Sequence, residues 1–269
     1  MRATLFSNSA GAAALLVGGV KMRARKETPS VAELRECDVA VVFACGAIFS
    51  KEMLTAPRLG CVNLHPSLLP RWRGASPVQA AIIAGDKISG FSWIQMVERV
   101  DAGPVLARGE VVVGDDETAP QLETRLVKMA AEALPSLLAD MEAGRANGDE
   151  QDDSLATYAP RLKREDGRLD WSLPADELAR RVRGFQPWPG TYSELPGGER
   201  LKVLAARVAE ASAESHTPGE RLQKRGGVVV ACGTDGRGAL ALERVQRSGR
   251  AAMNINDFLR GFQFPPRLS

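Results

Sequence analysis

The chain has 269 residues, of which 44% are hydrophobic and 25% are charged, and its formal net charge at pH 7 is +2. This length can bury one large core or two smaller ones, and no run approaches the roughly 18 consecutive apolar residues of a membrane-spanning helix. The four cysteines form no C-x-x-C pair and have no histidine at ligand spacing, which argues against a metal site and favours buried thiols in a reducing compartment. We therefore expect a soluble protein of two domains.

The first 26 residues contain five basic residues and no acid, a composition that fits two structures. One is a targeting segment that is later removed. The other is a compact βαβ unit, which we favour because short apolar runs flank a turn of small residues. Its elements would be a strand at 2–6, a turn at 7–11, a helix at 12–17 and a second strand at 20–25.

An apolar run at 38–43 follows a helix predicted over 30–36. Strands that are buried on both faces have this composition, and their alternation with helices predicts a parallel sheet. We therefore predict an α/β domain with a Rossmann-like, mostly parallel sheet and helices on both faces.

The next apolar strand ends in two polar residues, Asn63 and His65, which lie two positions apart. Residues with this spacing point to the same side of a strand, so the amide and the imidazole can face one ligand. A histidine on an apolar strand is more often a core residue than a catalytic one. This histidine, however, is one of only two in the chain, and a loop containing Pro, Ser and Gly follows it. We interpret the pair as part of a reaction site.

The same domain continues with a helix predicted at 75–84, a strand at 90–97 and a long helix that begins near Thr118. Apolar residues recur every three or four positions along the long helix, as in helices packed on a sheet. Pro135 should kink or divide it.

Asp101 follows the predicted strand at 90–97 and precedes a Gly-Pro pair, so the backbone can turn sharply there. Considered alone it would be an ordinary turn residue. A proton-transfer site needs a carboxylate, however, and the combination with Asn63 and His65 favours a catalytic role.

An acidic stretch at 140–157, with six acids and one arginine, divides the chain. We predict domains at 1–143 and 158–269 joined by a linker at 144–157. Residues 1–157 carry 16 Lys and Arg against 20 Asp and Glu, whereas residues 158–269 carry 19 against 13. The second domain is therefore basic, which slightly favours a nucleic-acid partner.

The C-terminal part begins with a helix that ends near Gly184, after which short apolar runs are broken by Gly and Pro. These runs predict a small antiparallel β-barrel of the OB-like kind, covered by a helix at 256–262. The runs lie at 191–195, 201–208, 219–222, 227–232 and 238–245.

The chain resembles the folate-dependent formyltransferases in two motifs, N-L-H-P-S-L-L-P at 63–70 and V-D-A-G-P at 100–104. Further segments are similar to the methionyl-tRNA formyltransferases within that superfamily: L-P-R-W-R-G-A-S-P-V-Q, Y-A-P-R-L-K-R-E-D-G-R-L-D-W and F-Q-P-W-P-G at 69–79, 158–171 and 185–190. The resemblance covers most of residues 38–269.

The resemblance implies transfer of a formyl group from 10-formyltetrahydrofolate to the amino group of initiator methionyl-tRNA, through a tetrahedral intermediate. Asn63 and His65 would stabilise the oxyanion of that intermediate, and Asp101 would manage the protons and contact His65. No metal and no covalent enzyme intermediate are required. The residues expected to bind the folate are Ser67, Leu68, Leu69 and Pro70.

The chain departs from the family pattern in its shortened N-terminal region. The turn after the first strand reads Phe6-Ser-Asn-Ser9 instead of Gly-Thr-Pro, and the usual tyrosine after the third strand is replaced within Ala44-Cys-Gly46. The basic loop that reaches the tRNA acceptor stem is reduced to a basic stretch at 21–26.

Two alternatives remain open. The chain could formylate a small amine such as a sugar nucleotide or glycinamide ribonucleotide, which the short N-terminal region favours and the C-terminal motifs oppose. It could also be an inactive homologue that binds tRNA or folate, although all three expected catalytic residues are present.

The expected partners are initiator methionyl-tRNA and folate, without a membrane. We expect a monomer in the bacterial cytoplasm, or in a mitochondrial or plastid matrix if the source is eukaryotic. The candidate tRNA-binding residues are Arg71, Arg73, Lys163, Arg164, Arg180, Arg181 and Arg183.

Overall fold

The computed structural model describes residues 1–7, 28–222 and 227–269, together with the backbone of 21–24. It divides into two compact units. The first consists of residues 1–81, 87–114 and 121–161, and the second of residues 82–86, 115–120 and 162–269. Among the described residues, no helix is both long enough and apolar enough to cross a membrane.

A six-stranded mixed sheet forms the centre of the first unit. Its strand order is β2-β1-β3-β4-β6-β7, in which the first four strands run parallel and the last two are added antiparallel. Two further short strands, β5 and β8, pair with each other outside this sheet. The strands of the first unit are β1 (Ala3–Ser7), β2 (Lys21–Ala24), β3 (Val39–Phe43), β4 (Cys61–His65), β5 (Arg73–Gly74), β6 (Ile88–Gln95), β7 (Val105–Val112) and β8 (Tyr158–Ala159).

Helices cover both faces of this sheet, as the sequence predicted. Alternate residues of the parallel strands face opposite ways. Val41 and Val62 therefore pack with residues of α4 in one apolar cluster, whereas Val42 and Cys61 pack with residues of α1 and α2 in another. The helices are α1 (Val31–Arg35), α2 (Lys51–Leu54), α3 (Pro77–Ala84) and α4 (Ala119–Glu142).

Two local features follow from the sequence. Ser30 and Glu33 form a reciprocal capping box that starts α1. Pro135 lies inside α4, a helix of 24 residues that continues past the proline. The helix is therefore not divided there. The turn predicted at 7–11 lies outside the described residues except for Ser7, the helix predicted at 12–17 lies outside them entirely, and so does part of the basic stretch at 21–26.

Residues 144–157, which we predicted as a linker, are bonded to the first unit. Asp149 and Val105 exchange two backbone hydrogen bonds of 2.8 and 2.9 Å. Thr157 accepts a hydrogen bond from the backbone N–H of Arg73, at 2.8 Å. A stretch rich in polar residues can satisfy its backbone on a neighbouring loop, and composition alone does not distinguish this from a free linker.

A curled antiparallel sheet forms the second unit, as the sequence predicted. Its apolar face packs against two helices, α5 (Ala175–Gly184) and α6 (Ile255–Gly261), with Leu178, Val203 and Phe258 at the centre of the core. The strands are β9 (Thr191–Glu194), β10 (Arg200–Val208), β11 (Arg221–Leu222), β12 (Val228–Cys232), β13 (Gly238–Arg247) and β14 (Met253–Asn254).

Candidate active site

Strand β4 carries the two polar residues with which the site begins. Val62 and Leu64 point into the apolar cluster beneath α4, so Asn63 and His65 point to the opposite face of the sheet. The register places Asn63 beside Ile94 and His65 beside Ser92 of β6. The backbone ladder therefore fixes where both side chains leave the sheet.

His65 is only 3% exposed and has a defined partner for each ring nitrogen. Its Nε2 lies 2.8 Å from the carbonyl oxygen of Trp72, and its Nδ1 lies 3.5 Å from Oδ2 of Asp101. A carbonyl oxygen can only accept, so Nε2–H donates to Trp72. Nδ1 is consequently the nitrogen that can exchange a proton with Asp101, and the contact expected between the two residues is present.

Asp101 occupies a left-handed backbone conformation with φ of 53°. This region is uncommon for residues other than glycine, although aspartate tolerates it better than most. Its carboxylate Oδ2 accepts a hydrogen bond of 2.9 Å from the backbone N–H of Gly74. The turn continues through Gly103, where an added Cβ would lie 1.8 Å from the carbonyl oxygen of Gln95. The tight turn thus aims the carboxylate at His65.

Asn63 is half-buried, and its amide makes no hydrogen bond to any of the residues that the structure describes. The Cα atom of His65, on the same face, is about 7 Å along the strand from that of Asn63. An amide with unused donors, on the same face of the strand as a buried imidazole, can bind an oxygen that develops negative charge.

The loop after β4 alternates between buried and partly exposed residues. Ser67 and Leu69 are 1% and 2% exposed, whereas Leu68 and Pro70 are partly exposed. The hydroxyl of Ser67 donates to the carbonyl of Arg71 at 2.6 Å. Of the four residues expected to bind folate, the structure thus uses two as anchors of the loop and leaves the side chains of Leu68 and Pro70 accessible.

Ser92 on β6 was not identified from the sequence, although it holds this loop. Its buried hydroxyl donates to the carbonyl of Ser67 at 2.8 Å and accepts from the N–H of Leu69 at 3.1 Å. A hydroxyl between Phe91 and Trp93 was the signal that could have revealed it, because a serine between two large buried side chains is itself buried and a fully buried serine favours a hydrogen-bond partner.

Arg73 also has a different environment from the one expected. Its side chain is only 3% exposed and forms an ion pair with Asp153 at 2.8 Å. Both Nε and Nη2 donate to Oε1 of Gln151. The guanidinium is therefore committed to neighbouring protein groups, and we leave it out of the tRNA surface. Arg71, by contrast, is exposed and stacks on the ring of Trp72.

The arginines of α5 are bonded within the second unit. Arg180 pairs with Asp176 and donates to the carbonyl of Ile83. Arg181 pairs with Glu177 at 3.0 Å. Arg183 donates to the carbonyl of Glu117, and burial lowers the pKa of its guanidinium.

Two further candidates, Lys163 and Arg164, stand at the start of a short 3₁₀ turn and are exposed. Neither forms an ion pair with another residue in the described part of the chain.

The four cysteines are buried free thiols, as the sequence predicted. Burial raises the pKa of Cys61 to about 12 and that of Cys232 to about 11, which keeps both thiols protonated and unreactive. In the described ranges, no group of three or more His, Cys, Asp or Glu is arranged to hold a metal ion.

Comparison with known proteins places this chain in a family. Residues 12–138 match the family described as Formyl transferase, and residues 161–263 match Formyl transferase, C-terminal domain. The chain is 43% identical to methionyl-tRNA formyltransferase of Parvibaculum lavamentivorans over 92% of this chain and 78% of that protein. It is 46% identical to the enzyme of that name from Granulibacter bethesdensis over 85% of this chain and 69% of the other.

A solved structure shares the fold. The crystal structure of HypX from Aquifex aeolicus in complex with tetrahydrofolic acid superposes with a TM-score of 0.72 at 20% identity. The match covers 99% of this chain, which spans about half (49%) of the length of HypX. Together with the identity to the two curated relatives, these matches show that the chain belongs to the methionyl-tRNA formyltransferase family.

Proposed function

We propose that the protein transfers a formyl group from 10-formyltetrahydrofolate to the amino group of initiator methionyl-tRNA. The observation that carries this proposal is the imidazole of His65, buried between the carbonyl of Trp72 and the carboxylate of Asp101. This arrangement supplies the proton acceptor and the hydrogen-bond donor that acyl transfer to an amine requires.

Oxyanion stabilisation is assigned to Asn63 and His65. When the amine attacks the formyl carbon, the formyl oxygen takes up negative charge. Donors that are already oriented stabilise this charge more than the neutral substrate. The amide of Asn63 is unengaged among the described residues. Trp72 holds the ring of His65 through Nε2, so Nδ1–H, on the side of Asp101, is the donor that the ring offers to the oxyanion.

Proton transfer is assigned to Asp101. A C–N bond forms between the amine nitrogen and the formyl carbon, and the bond from that carbon to N10 of the folate then breaks. The amine loses one proton and N10 gains one, so no net proton is consumed. The carboxylate of Asp101 accepts the amine proton and returns it to N10, directly or through water. Its contact with Nδ1 of His65 links this proton to the oxyanion donor.

The loop at 67–70 fits a flat, partly apolar cosubstrate such as folate. Leu68 and Pro70 present apolar surface, and the carboxylate of Asp101 and the amide of Asn63 supply polar groups in the same unit. Ligand sites of this class combine apolar walls with a few oriented polar groups.

The tRNA is assigned to exposed basic residues. Lys163 and Arg164 on the second unit and Arg71 on the first are exposed, and the part of the chain from 158 onwards has an excess of basic residues. Cations of this kind bind phosphates without reading sequence. Because both curated relatives are bacterial, we place the reaction in a bacterial cytoplasm, and we expect a monomer by size-exclusion chromatography.

The test is formylation of methionyl-tRNA, free methionine and an amino sugar nucleotide, each offered with 10-formyltetrahydrofolate. We expect formyl transfer to methionyl-tRNA and a loss of about 10²–10³-fold in His65→Ala. The matched control is His216→Ala, since His216 is the other histidine and bonds to Ser212 in the second unit. Preferential transfer to the sugar amine would replace the proposed substrate, and transfer to none would indicate a binding protein without turnover.

A further inference from the structure

Gln151 lies in the polar stretch that sequence reasoning took for a linker, yet it reaches the turn that carries Asp101. The backbone beside it is fixed by the two hydrogen bonds between Asp149 and Val105. Its side-chain amide then points back along the turn. Nε2 donates to the carbonyl of Asp101 at 2.9 Å and to the carbonyl of Gly103 at 2.7 Å.

The other end of the same amide is fixed by Arg73. Oε1 of Gln151 accepts from Nε of Arg73 at 3.0 Å and from Nη2 at 2.7 Å. A guanidinium can only donate and a carbonyl can only accept, so the amide oxygen must face Arg73 and the amide nitrogen must face the turn. The orientation of Gln151 is therefore determined by its partners.

Arg73 is itself held in place on several sides. Its side chain is 3% exposed and pairs with Asp153, and its backbone N–H donates to the carbonyl of Thr157 at 2.8 Å. The residue after it, Gly74, donates its backbone N–H to the carboxylate of Asp101. The segment at 73–74 thus reaches Asp101 twice, directly at the carboxylate and through Gln151 at the main-chain carbonyl.

Asp101 needs such support because its backbone is in the left-handed region, with φ of 53°. Residues in sparsely populated regions keep their conformation only when surrounding groups impose it. The carbonyls of Asp101 and Gly103 are the groups whose direction defines this turn, and Gln151 binds both. If either hydrogen bond is lost, the turn can relax and the carboxylate moves relative to Nδ1 of His65.

We propose that Gln151 is a positioning residue for formyl transfer: it holds the turn at 101–103 so that the carboxylate of Asp101 stays beside His65. The expected fall in kcat rests on the proposed function, whereas the expected displacement of the Asp101 carboxylate does not. Gln151 does not touch the reacting groups. Its effect passes through the backbone of Asp101, in the way that outer groups orient a reactive side chain.

The kinetic test compares Gln151→Ala and Gln151→Glu with the wild-type protein, using the full chain. The alanine variant loses all four hydrogen bonds. The glutamate variant keeps an acceptor for Arg73 and loses only the donor to the two carbonyls. The melting temperatures of both variants are measured beside the rates, so that a loss of folding is not read as a loss of positioning. We expect kcat to fall about tenfold in both variants, with KM for folate and for methionyl-tRNA within threefold of wild type, because a displaced acid costs rate rather than binding.

Two controls separate positioning from general loosening. Asp152→Ala removes the cap that Asp152 provides for Ser154 in the same segment. Gln246→Ala removes a side-chain hydrogen bond of 2.8 Å to the carbonyl of Arg250 in the second unit. Both should keep kcat within twofold of wild type. A fall in Asp152→Ala equal to that in Gln151→Ala, or wild-type kcat in Gln151→Glu, would overturn the proposal.

A spectroscopic readout tests the positioning without substrate. The chain has only two histidines, so the imidazole ¹H–¹⁵N signals of His65 are assigned by comparison with His216→Gln. These signals should move in Gln151→Ala or Gln151→Glu and stay unchanged in Asp152→Ala. Unchanged His65 signals in both Gln151 variants would overturn the proposal even if formylation proceeds. If the wild-type protein formylates nothing while the signals move, the proposed function fails and the positioning role stands.

Discussion

The pair of His65 and Asp101 in the first unit and the arginines of α5 in the second unit were both candidates from the sequence, and they differ in what surrounds them. His65 is buried and bonded to a loop carbonyl, and its second nitrogen is left for Asp101. The arginines of α5 face acids one turn away, as in Arg180 with Asp176 and Arg181 with Glu177. The buried histidine therefore has one defined carboxylate partner in another loop, whereas the helix arginines pair with acids of their own helix.

The physical reason lies in how each element constrains its neighbours. In the sheet, the register sets which residue stands beside His65, and burial strongly favours polar groups that have a partner. On an exposed helix, residues four positions apart are already neighbours and can neutralise one another. Here Arg180 holds the pKa of the Asp176 carboxyl below its usual range, so part of the positive charge is used locally.

The largest effect is expected from Asp101→Asn. Asparagine tolerates a positive φ and still accepts the hydrogen bond from Gly74, but it cannot take the amine proton. We expect the rate of formyl transfer to fall by about 10²–10³-fold, with a melting temperature close to that of wild type. Initial rates of methionyl-tRNA formylation and thermal unfolding measure the two quantities. A variant that keeps more than a tenth of the activity would show that the two residues form a structural pair only.

The next largest effect is expected from Ser92→Ala, which acts through the loop at 67–70. Loss of the hydroxyl leaves the carbonyl of Ser67 and the N–H of Leu69 without their partner, at a cost of about 1–3 kcal/mol in the free energy of unfolding. KM for folate should rise several-fold, with a smaller change in kcat.

Urea unfolding and steady-state kinetics test this prediction. The matched control is Ser89→Ala, since Ser89 is buried in the same strand and its hydroxyl bonds to no residue in the ranges described. Equal losses of stability and folate affinity in the two variants would count against a role in holding the loop.

A smaller effect is expected on tRNA binding, and it tests the role of the arginines of α5. If unpaired charge matters, changing Lys163 and Arg164 together to alanine should reduce the slope of log K against log salt by about 1.5, and changing Arg180 and Arg183 together by less than about 0.5. Filter binding of methionyl-tRNA between low and moderate salt gives both slopes. A larger slope change for Arg180 and Arg183 than for Lys163 and Arg164 would show that the arginines of α5 bind the tRNA in spite of their ion pairs.

The smallest effect concerns Cys61, at the other end of β4 from His65. Burial raises the pKa of this thiol from 9.0 to about 12. The unfolded thiol ionises above pH 9 while the folded one stays protonated, so this contribution to stability is complete below pH 9 and is lost as the pH rises toward 12. Cys61→Ala should show a shallower fall of the free energy of unfolding over this range than wild type. Parallel curves would mean that the buried thiol titrates normally.

How much of the structure the sequence predicts depends on whether a feature is local or set by distant contacts. Apolar runs and helical periodicity located β3, β4, β6, the long helix α4 and most strands of the second unit, because burial on one or two faces dictates composition directly. They missed β7 and α2, whose sequences are more polar. The placement of Asn63, His65 and Asp101 was recoverable because strand alternation and a turn motif are local properties. The bonding of Gln151, Arg73 and Thr157 was not recoverable, because it depends on which distant loop a polar stretch meets. Such pairings are set by tertiary contacts that leave no periodic pattern.

The hydrogen bond from His65 to the carbonyl of Trp72 has one further consequence. Trp72 belongs to the loop that begins at Ser67, and its φ of 62° lies in the left-handed region, which is uncommon for a bulky residue. The ring cannot flip without breaking that bond, and the carbonyl cannot swing away without freeing the ring. A displacement of the loop at Trp72 would therefore be passed directly to the imidazole of His65.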